Sequence, residues 1–223
     1  MFSTLSFLLS MLAGYVDTAG FLALHGLFTA HVTGNFVTIG ASLVYGTTGA
    51  ISKLLALPVF CLVIALVRAS GTALARGAHE VRVLLGVMSV LLLAGGALAI
   101  ALGPFQDADS GAALLTGMTL VAAMSVQNAV HRIYLASLPP TTLMTGSTTQ
   151  FVIDVVDLMR GVPEAQKGTV RQRESRLGAS ILAFVVGCSS AAALFHFLGT
   201  WCFALPPVLG VLSMVCYSAG AAK

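Results

Sequence analysis

The chain has 223 residues, 57% of them apolar and only 9% charged, with a formal charge of +3 and a mean hydropathy of +0.97. A soluble domain carries about 25% charged residues, so this composition excludes an ordinary soluble globule and points to an integral membrane protein. The small positive charge gives no reason to expect nucleic acid as a partner, because its residues sit in a few segments between apolar stretches.

Six stretches are long and apolar enough to cross a bilayer: 3–24, 53–75, 82–102, 111–136, 177–198 and 201–221. The first has no basic leader, is longer than the apolar part of a cleaved signal and contains Asp17, so it reads as a span. Between the first and second lies 35–49, and between the fourth and fifth 147–160. Each is helix-length, but about 20 Å of helix is shorter than the hydrocarbon core. Arg76 and Arg82 flank the turn between spans two and three. Asp107 and Asp109 follow span three with no Lys or Arg, and only Lys53 marks the other segment on that side. Arg160, Lys167, Arg171, Arg173 and Arg176 crowd 160–176, which reads as a solvated basic loop, and Lys223 ends the chain. The positive-inside rule then places both termini and both basic loops in the cytoplasm.

Counting 35–49 and 147–160 as full spans forces one basic loop to the outside. They are therefore expected to be re-entrant half-helices. Three spans per unit is an odd number, so the two units run in opposite directions. The expected fold is an all-α integral membrane protein with six transmembrane helices, arranged as two inverted three-helix repeats. These occupy 1–105 and 106–223, each with a re-entrant or broken short helix. The alternative is that both short helices lie in the membrane plane. That suits 148–160, where Phe151, Val152, Ile153 and Val156 cover the other faces, better than 35–49, which has no Lys or Arg to sit among headgroups.

A polar pattern occurs twice. Asp17, then Thr33-Gly34-Asn35, then Thr38, Ser42 and Tyr45 form the first copy. Asn128, then Thr145-Gly146-Ser147, then Gln150, Asp154 and Asp157 form the second. Asn35, Thr38, Ser42 and Tyr45 correspond to Ser147, Gln150, Asp154 and Asp157 at a constant offset of 112 residues, and the spacing puts each set on one helix face. Two half-size units with broken helices and polar stripes are how secondary transporters build solute pathways.

Asp17 is the expected coupling or selecting group, since an ionised carboxylate costs about 2.5–3.5 kcal/mol at the centre of a spanning helix and needs a cavity, a partner or a proton. The alternative, which ranks second, is a brace that holds a loop by accepting bonds from backbone N–H groups or Thr hydroxyls. Asn128 is its near-isosteric counterpart without a charge, and Gln127 adds an amide. Asn35 and Ser147 suit helix N-caps, and Gly34 and Gly146 permit close backbone approach. If the short helices re-enter, these N-termini meet at mid-membrane and favour an anion, a carbonyl or a water oxygen. His31 either shuttles protons and gates or satisfies a carbonyl. Arg132, near the end of span four, either snorkels to the interface or fixes an anionic group or Asp154. Small residues in the spans, such as Gly14, Gly20, Gly95, Gly96 and Gly187, speak to close helix packing and to contacts between copies in a homo-oligomer. Cys61, Cys188, Cys202 and Cys216 have no ligand spacing, so no metal or other cofactor is expected. Without a G-x-x-x-x-G-K-[ST] loop this chain cannot by itself be a nucleotide-driven pump.

The stretch Ala13-Gly14-Tyr15-Val16-Asp17-Thr18-Ala19-Gly20-Phe21-Leu22, followed by Phe28-Thr29-Ala30-His31-Val32-Thr33-Gly34-Asn35, resembles the YoaK-like family of bacterial membrane proteins. Gln127-Asn128-Ala129, Arg132, Pro140-Thr141-Thr142 and Met144-Thr145-Gly146 agree with it in the second half, while Ser147 stands where that family often has Asn or Thr. The resemblance implies a multi-pass protein of the bacterial inner membrane and supplies no substrate. Bottom-up, the expected function is a transporter or channel for a small polar solute or ion around a midplane site. The rival is a non-transporting assembly partner, sensor or lipid holder whose polar stripes bind helices together. An intramembrane enzyme has no supporting Ser/His pair or His cluster.

Overall fold

A computed structural model of the chain describes residues 2–70, 78–142 and 144–221, and these are helical with short connections. The helices are α1 (Phe2–Ala23), α2 (Asn35–Tyr45), α3 (Ala50–Ser70), α4 (Ala78–Leu102), α5 (Gly111–Tyr134), α6 (Met144–Arg160), α7 (Glu164–Leu198) and α8 (Leu205–Ala221). Five runs are long and apolar enough to cross a membrane: Thr4–Ala23, Ala50–Ser70, His79–Leu102, Gly111–Tyr134 and Glu164–Gly220. The last comprises α7, a 3-10 segment at Gly199–Ala204 and α8. A chain with this many apolar runs of spanning length is a membrane protein.

Burial divides the helices into inner and outer ones. In α1 and α5, 67% of the apolar window is buried, against 22% in α3, so α1 and α5 form the centre and α3 presents much of its surface outward. α1 packs on α7 and α8, α5 packs on α3 and α4, and α4 meets α8. The short helices each lie on the next long one, α2 on α3 and α6 on α7. The α1–α7 crossing depends on two glycines. A Cβ at Gly14 would collide with the Phe184 carbonyl, and one at Gly187 with the Met11 carbonyl, so the backbones touch there. Without a hydrophobic drive between helices in lipid, such contact is where association energy comes from.

Several boundaries differ from the sequence reading, each for a local reason. α2 stops at Tyr45 rather than continuing to 49, because Gly46 takes a left-handed conformation (φ 65°) and caps it. α6 starts at Met144, so Thr145, Gly146 and Ser147 lie inside its first turn. The basic segment 160–176, expected as a loop, mostly belongs to α7, whose 35 residues begin at Glu164. Val170 and Leu177, seven residues apart, are the buried face of this extension, and Lys167 pairs with Glu164 one turn away. Residues 71–77, which include Arg76 and the end of the expected second span, lie outside the described residues, as does Lys223.

Asp109, expected as an exposed loop charge, has a structural task. Its carboxylate accepts from the Gly49 and Ser52 amides, both at 2.9 Å, and so ties the loop after α4 to the start of α3. Burial pushes its carboxyl up, but the Ser52 and Gly49 N–H bonds, with smaller help from Ile51 and Ala50, outweigh this and hold it below the ordinary value. A depressed folded value means the stabilisation is complete above the unfolded carboxyl's value of about 3.9 and is lost as pH falls through the folded one. Hydrogen-exchange protection at Gly49 and Ser52 should therefore be constant from pH 7 to about 5 and collapse below about 4, and Asp109→Asn should remove that acid dependence. Separately, Gly187→Leu should lower the detergent melting point by the equivalent of about 1–3 kcal/mol or more. Gly168→Ala, with open space at its Cβ position, should raise stability by about 0.5–1 kcal/mol.

Candidate functional site

Asp17 lies on α1 and is 4% exposed. Its Oδ1 accepts from the Thr29 and Ala30 amides at 2.8 Å, with the His31 amide and the Thr29 hydroxyl each at 3.4 Å. Its Oδ2 lies 2.7 Å from His31 Nδ1, so one proton sits between carboxylate and imidazole. Successive backbone N–H groups converging on one oxygen make a concave anion nest, here filled by the protein's own carboxylate. The segment 28–31 is thereby folded back along α1. Gly20, one turn further along α1, leaves the space that the Thr29 methyl occupies.

Asn35 continues the construction. Its side-chain amide donates to the Phe28 carbonyl and accepts from the Phe28 amide, both at 2.9 Å, as a strand partner would. It is thus a brace rather than the cap expected from sequence. The residue before α2 is Gly34, with no side-chain cap, and a 3-10 turn at Val32–Gly34 leads into the helix. Thr33 is exposed, and Gly34 lies under the Phe28 ring. Phe28 stacks obliquely on Phe21, and the His31 ring meets Phe184 edge-on.

The α5–α6 loop is also held by side chains of the preceding helix, with weaker ties. Gln127 donates from Nε2 to the Leu9 carbonyl at 2.8 Å and to the Thr141 hydroxyl at 3.2 Å, joining α5 to α1 and to its own loop. Asn128 Oδ1 accepts from the Thr142 hydroxyl at 2.7 Å, while its Nδ2 donates to the Met124 carbonyl one turn back. Thr141 stands 112 residues after Thr29, so both loops are gripped at equivalent places. Asp17 gathers five donor groups; Asn128 takes one from its loop.

Beside Asn128 a cavity of about 660 Å³ opens between α3, α5 and the start of α6, lined among others by Arg132, Thr142, Thr145, Gly146 and Ser147. A second, of about 410 Å³, lies between α6 and α7 and is lined by Gln150, Thr169, Gln172, Arg173 and Arg176. Pro140, Gly146 and Ser147 border both. Gly146 faces open space and Ser147 is buried.

The two polar stripes point inward at their first and third positions and end exposed, at Tyr45 and Asp157. Asn35 and Ser42 are buried on α2, as are Ser147 and Asp154 on α6, while Val37 and Val44 on α2 are 76% and 80% exposed. In each half the third stripe position is held by a cation from the next helix. Lys53, 3% exposed on α3, donates to the Ser42 hydroxyl at 2.8 Å. Arg173 on α7 grips Asp154, fully buried on α6, with two bonds of 2.7 and 2.6 Å, and Gln150 adds a third at 2.7 Å. Ser42 and Asp154 are 112 residues apart.

The sequence-derived candidates thus fall into two clusters and one outlier. Asp17, His31, Thr33, Gly34 and Asn35 lie together around the α1–α2 loop. Gln127, Asn128, Arg132, Thr145, Gly146 and Ser147 lie together around the α5–α6 loop. Asp154 sits on α6 with Arg173 rather than with Arg132, which is exposed and lines the larger cavity. Sequence reasoning missed the two cation grips. A buried Asp154 in an apolar helix demanded a counter-ion, and the Val170/Leu177 spacing marked 164–177 as helix, which places Arg173 where it can reach. Lys53 carried no comparable signal, because Ser42 makes no such demand. Tyr134, which donates to the buried carboxylate of Glu80, was also unforeseen.

Residues 5–216 match the family described as "Protein of unknown function (DUF1275)". The chain belongs to that family. This agrees with the resemblance of its motifs to a family without assigned biochemistry, and the match takes in both clusters. No curated protein and no solved structure matches the chain.

The Asn35 brace can be tested directly. Asn35→Ala strands both backbone groups of Phe28, at a cost of about 1–3 kcal/mol, readable as a lower melting point in detergent. Tyr45→Ala, at the exposed end of the same stripe, should stay within about 0.5 kcal/mol.

Proposed function

We propose that the protein carries a small polar solute across the bacterial inner membrane, as a transporter or channel built from two inverted repeats. In this reading the last apolar run counts as two spans, α7 and α8, separated at Gly199, giving six in all with both termini cytoplasmic. α7 is about 52 Å long at 1.5 Å per residue, more than the hydrocarbon core, so its basic first turns project into the cytoplasm.

The helix pairing supports the repeat. Exchanging α1–α4 with α5–α8 in order turns α1–α7 into α5–α3, α4–α5 into α8–α1 and α2–α3 into α6–α7, while α4–α8 is unchanged. Every one of these pairs is in contact. The placement of the short helices supports re-entrance. A helix lying in the interface wets its polar face, whereas the stripes of α2 and α6 are packed against α3 and α7 and the apolar face of α2 looks outward.

The observation that carries the functional reading is that equivalent loops are shut in one half and open in the other. Asp17 closes the α1–α2 loop with five donors; beside Asn128 a cavity of about 660 Å³ reaches the start of α6. Two related halves in opposite states are what alternating access requires. The Asp17–His31 pair supplies a proton-holding group in the shut half, fit for coupling. A structural role has one observation of its own: Asp17 is fully occupied by loop donors, as a brace would be.

Flux into proteoliposomes separates the two. Wild type should pass at least one of a panel of neutral, anionic and cationic small solutes faster than empty liposomes, with a pH dependence between 5 and 8 that His31→Gln flattens. That variant leaves the Thr29 and Ala30 amide bonds to Asp17 intact. A flat wild-type profile, or one that His31→Gln leaves unchanged, removes proton coupling. A folded protein that passes nothing, with Asp17→Asn lowering only the melting point, favours the brace. Cys probes at Thr47 and Gln166 should react from opposite sides, Gln166 from within.

A further inference from the structure

The two cavities beside α6 carry more positive charge than the residues around them neutralise. The charge of Arg173 is neutralised, since both oxygens of Asp154 accept from its N–H groups. Arg132, at the last turn of α5, lines the 660 Å³ cavity, and Arg176, one turn beyond Arg173 on α7, lines the 410 Å³ one. Among the described residues neither is in an ion pair. Three guanidiniums against one carboxylate leave two positive charges facing space that Pro140, Gly146 and Ser147 border from both sides.

We infer that the ligand of this region is a small oxyanion of the carboxylate or phosphate class, recognised by Arg132 and Arg176. This rests on the transport reading for its site and deepens it by naming the solute's charge and chemistry. A guanidinium presents a rigid fork of N–H donors matched to the paired oxygens of carboxylate and phosphate, and a neutral solute has no use for two of them. Thr145 and Gln172, which line the same cavities, add neutral donors for the remaining oxygens. Low-dielectric walls such as Phe60 and Ile64 focus the positive potential into the larger cavity. The volumes suit a metabolite-sized anion. Asp157, exposed further along α6, lines neither cavity, and its negative charge is felt at Arg173. The same chemistry is presented by a free anion and by the phosphate of an anionic lipid.

The test is calorimetric titration of the purified chain in neutral-lipid nanodiscs with inorganic phosphate, succinate and, as a neutral probe, glycerol. Melting points in neutral and in phosphatidylglycerol nanodiscs are measured alongside. Phosphate or succinate should bind while glycerol does not, and Arg132→Gln and Arg176→Gln should each weaken binding about tenfold or more. Arg171→Gln, on the same helix as Arg176 but outside both cavities, should have no effect. If the free anions do not bind but phosphatidylglycerol raises the melting point, and Arg132→Gln and Arg176→Gln abolish that rise, the oxyanion is a lipid headgroup. Absence of both effects overturns the inference, and so does an equal loss in Arg171→Gln, which marks unspecific charge attraction. Glycerol flux without oxyanion binding sinks the anion and leaves transport standing; oxyanion binding without flux of any solute does the reverse.

Discussion

A carboxylate inside a membrane helix must be satisfied where it stands, and the way Asp17 is satisfied shapes the whole first half of the protein. Buried among apolar helices, it takes its donors from the chain itself: the backbone N–H groups of 29–31, the Thr29 hydroxyl and the His31 ring. Meeting that demand turns residues 28–31 back along α1 and requires the gap at Gly20. It also leaves Phe28 with backbone groups to satisfy, which Asn35 does. Asn35 is the first residue of α2, so the position of that helix follows from the charge one segment earlier. Lys53 then fixes its far end through Ser42. Asp17, His31, Asn35, Ser42 and Lys53, each costly alone in apolar surroundings, become mutually dependent.

The second half solves the same construction problem with fewer charged groups at the loop and more at the short helix. Asn128 needs no counter-charge and takes one hydroxyl, while the charge has moved to Asp154, gripped in two places by Arg173. The grips differ in a telling way. A bidentate guanidinium–carboxylate pair is stronger and more directional than an ammonium on a hydroxyl, so α6 is clamped to α7 along its length while its first turn stays beside open cavities. In the first half the loop is clamped and the helix is held lightly.

Much of this was legible in the chain itself. The apolar runs located the long helices because twenty consecutive apolar residues have few other stable uses. The 112-residue offset matched the short helices and their inward stripes, since a period of 3.6 fixes which residues share a face whatever surrounds them. What the sequence does not display is which donor a polar group will find. Asn35 has the composition of a cap but finds Phe28, the loop between α1 and α2 having been folded back by Asp17. The extension of α7 below its apolar part was hidden by its charges, which look like a loop until the Val170–Leu177 spacing is weighed against them. His25 and His131, which carry no ligand spacing in the sequence, bond to the backbone carbonyls of Phe105 and Leu138.

The asymmetry of the two loop ties has a consequence for any exchange of states between the halves. Opening the α1–α2 loop breaks several charge-assisted bonds to Asp17, each worth about 1.5–3 kcal/mol, whereas the α5–α6 loop is held to Asn128 by a single neutral bond of about 0.5–1.5 kcal/mol. In the proposed transport cycle, this difference favours the α5–α6 side open and the α1–α2 side shut. Reversing it needs a contribution that acts on Asp17 in particular. Neutralising Asp17, as Asp17→Asn does, is such a contribution, because a neutral group holds the loop amides less tightly than a carboxylate. A solute bound beside α6 is another, because closing that side over a filled cavity recovers contacts that closing over an empty one does not. On the transport reading, the Asp/Asn difference between the two loops sets which side waits open and which side must be unlocked.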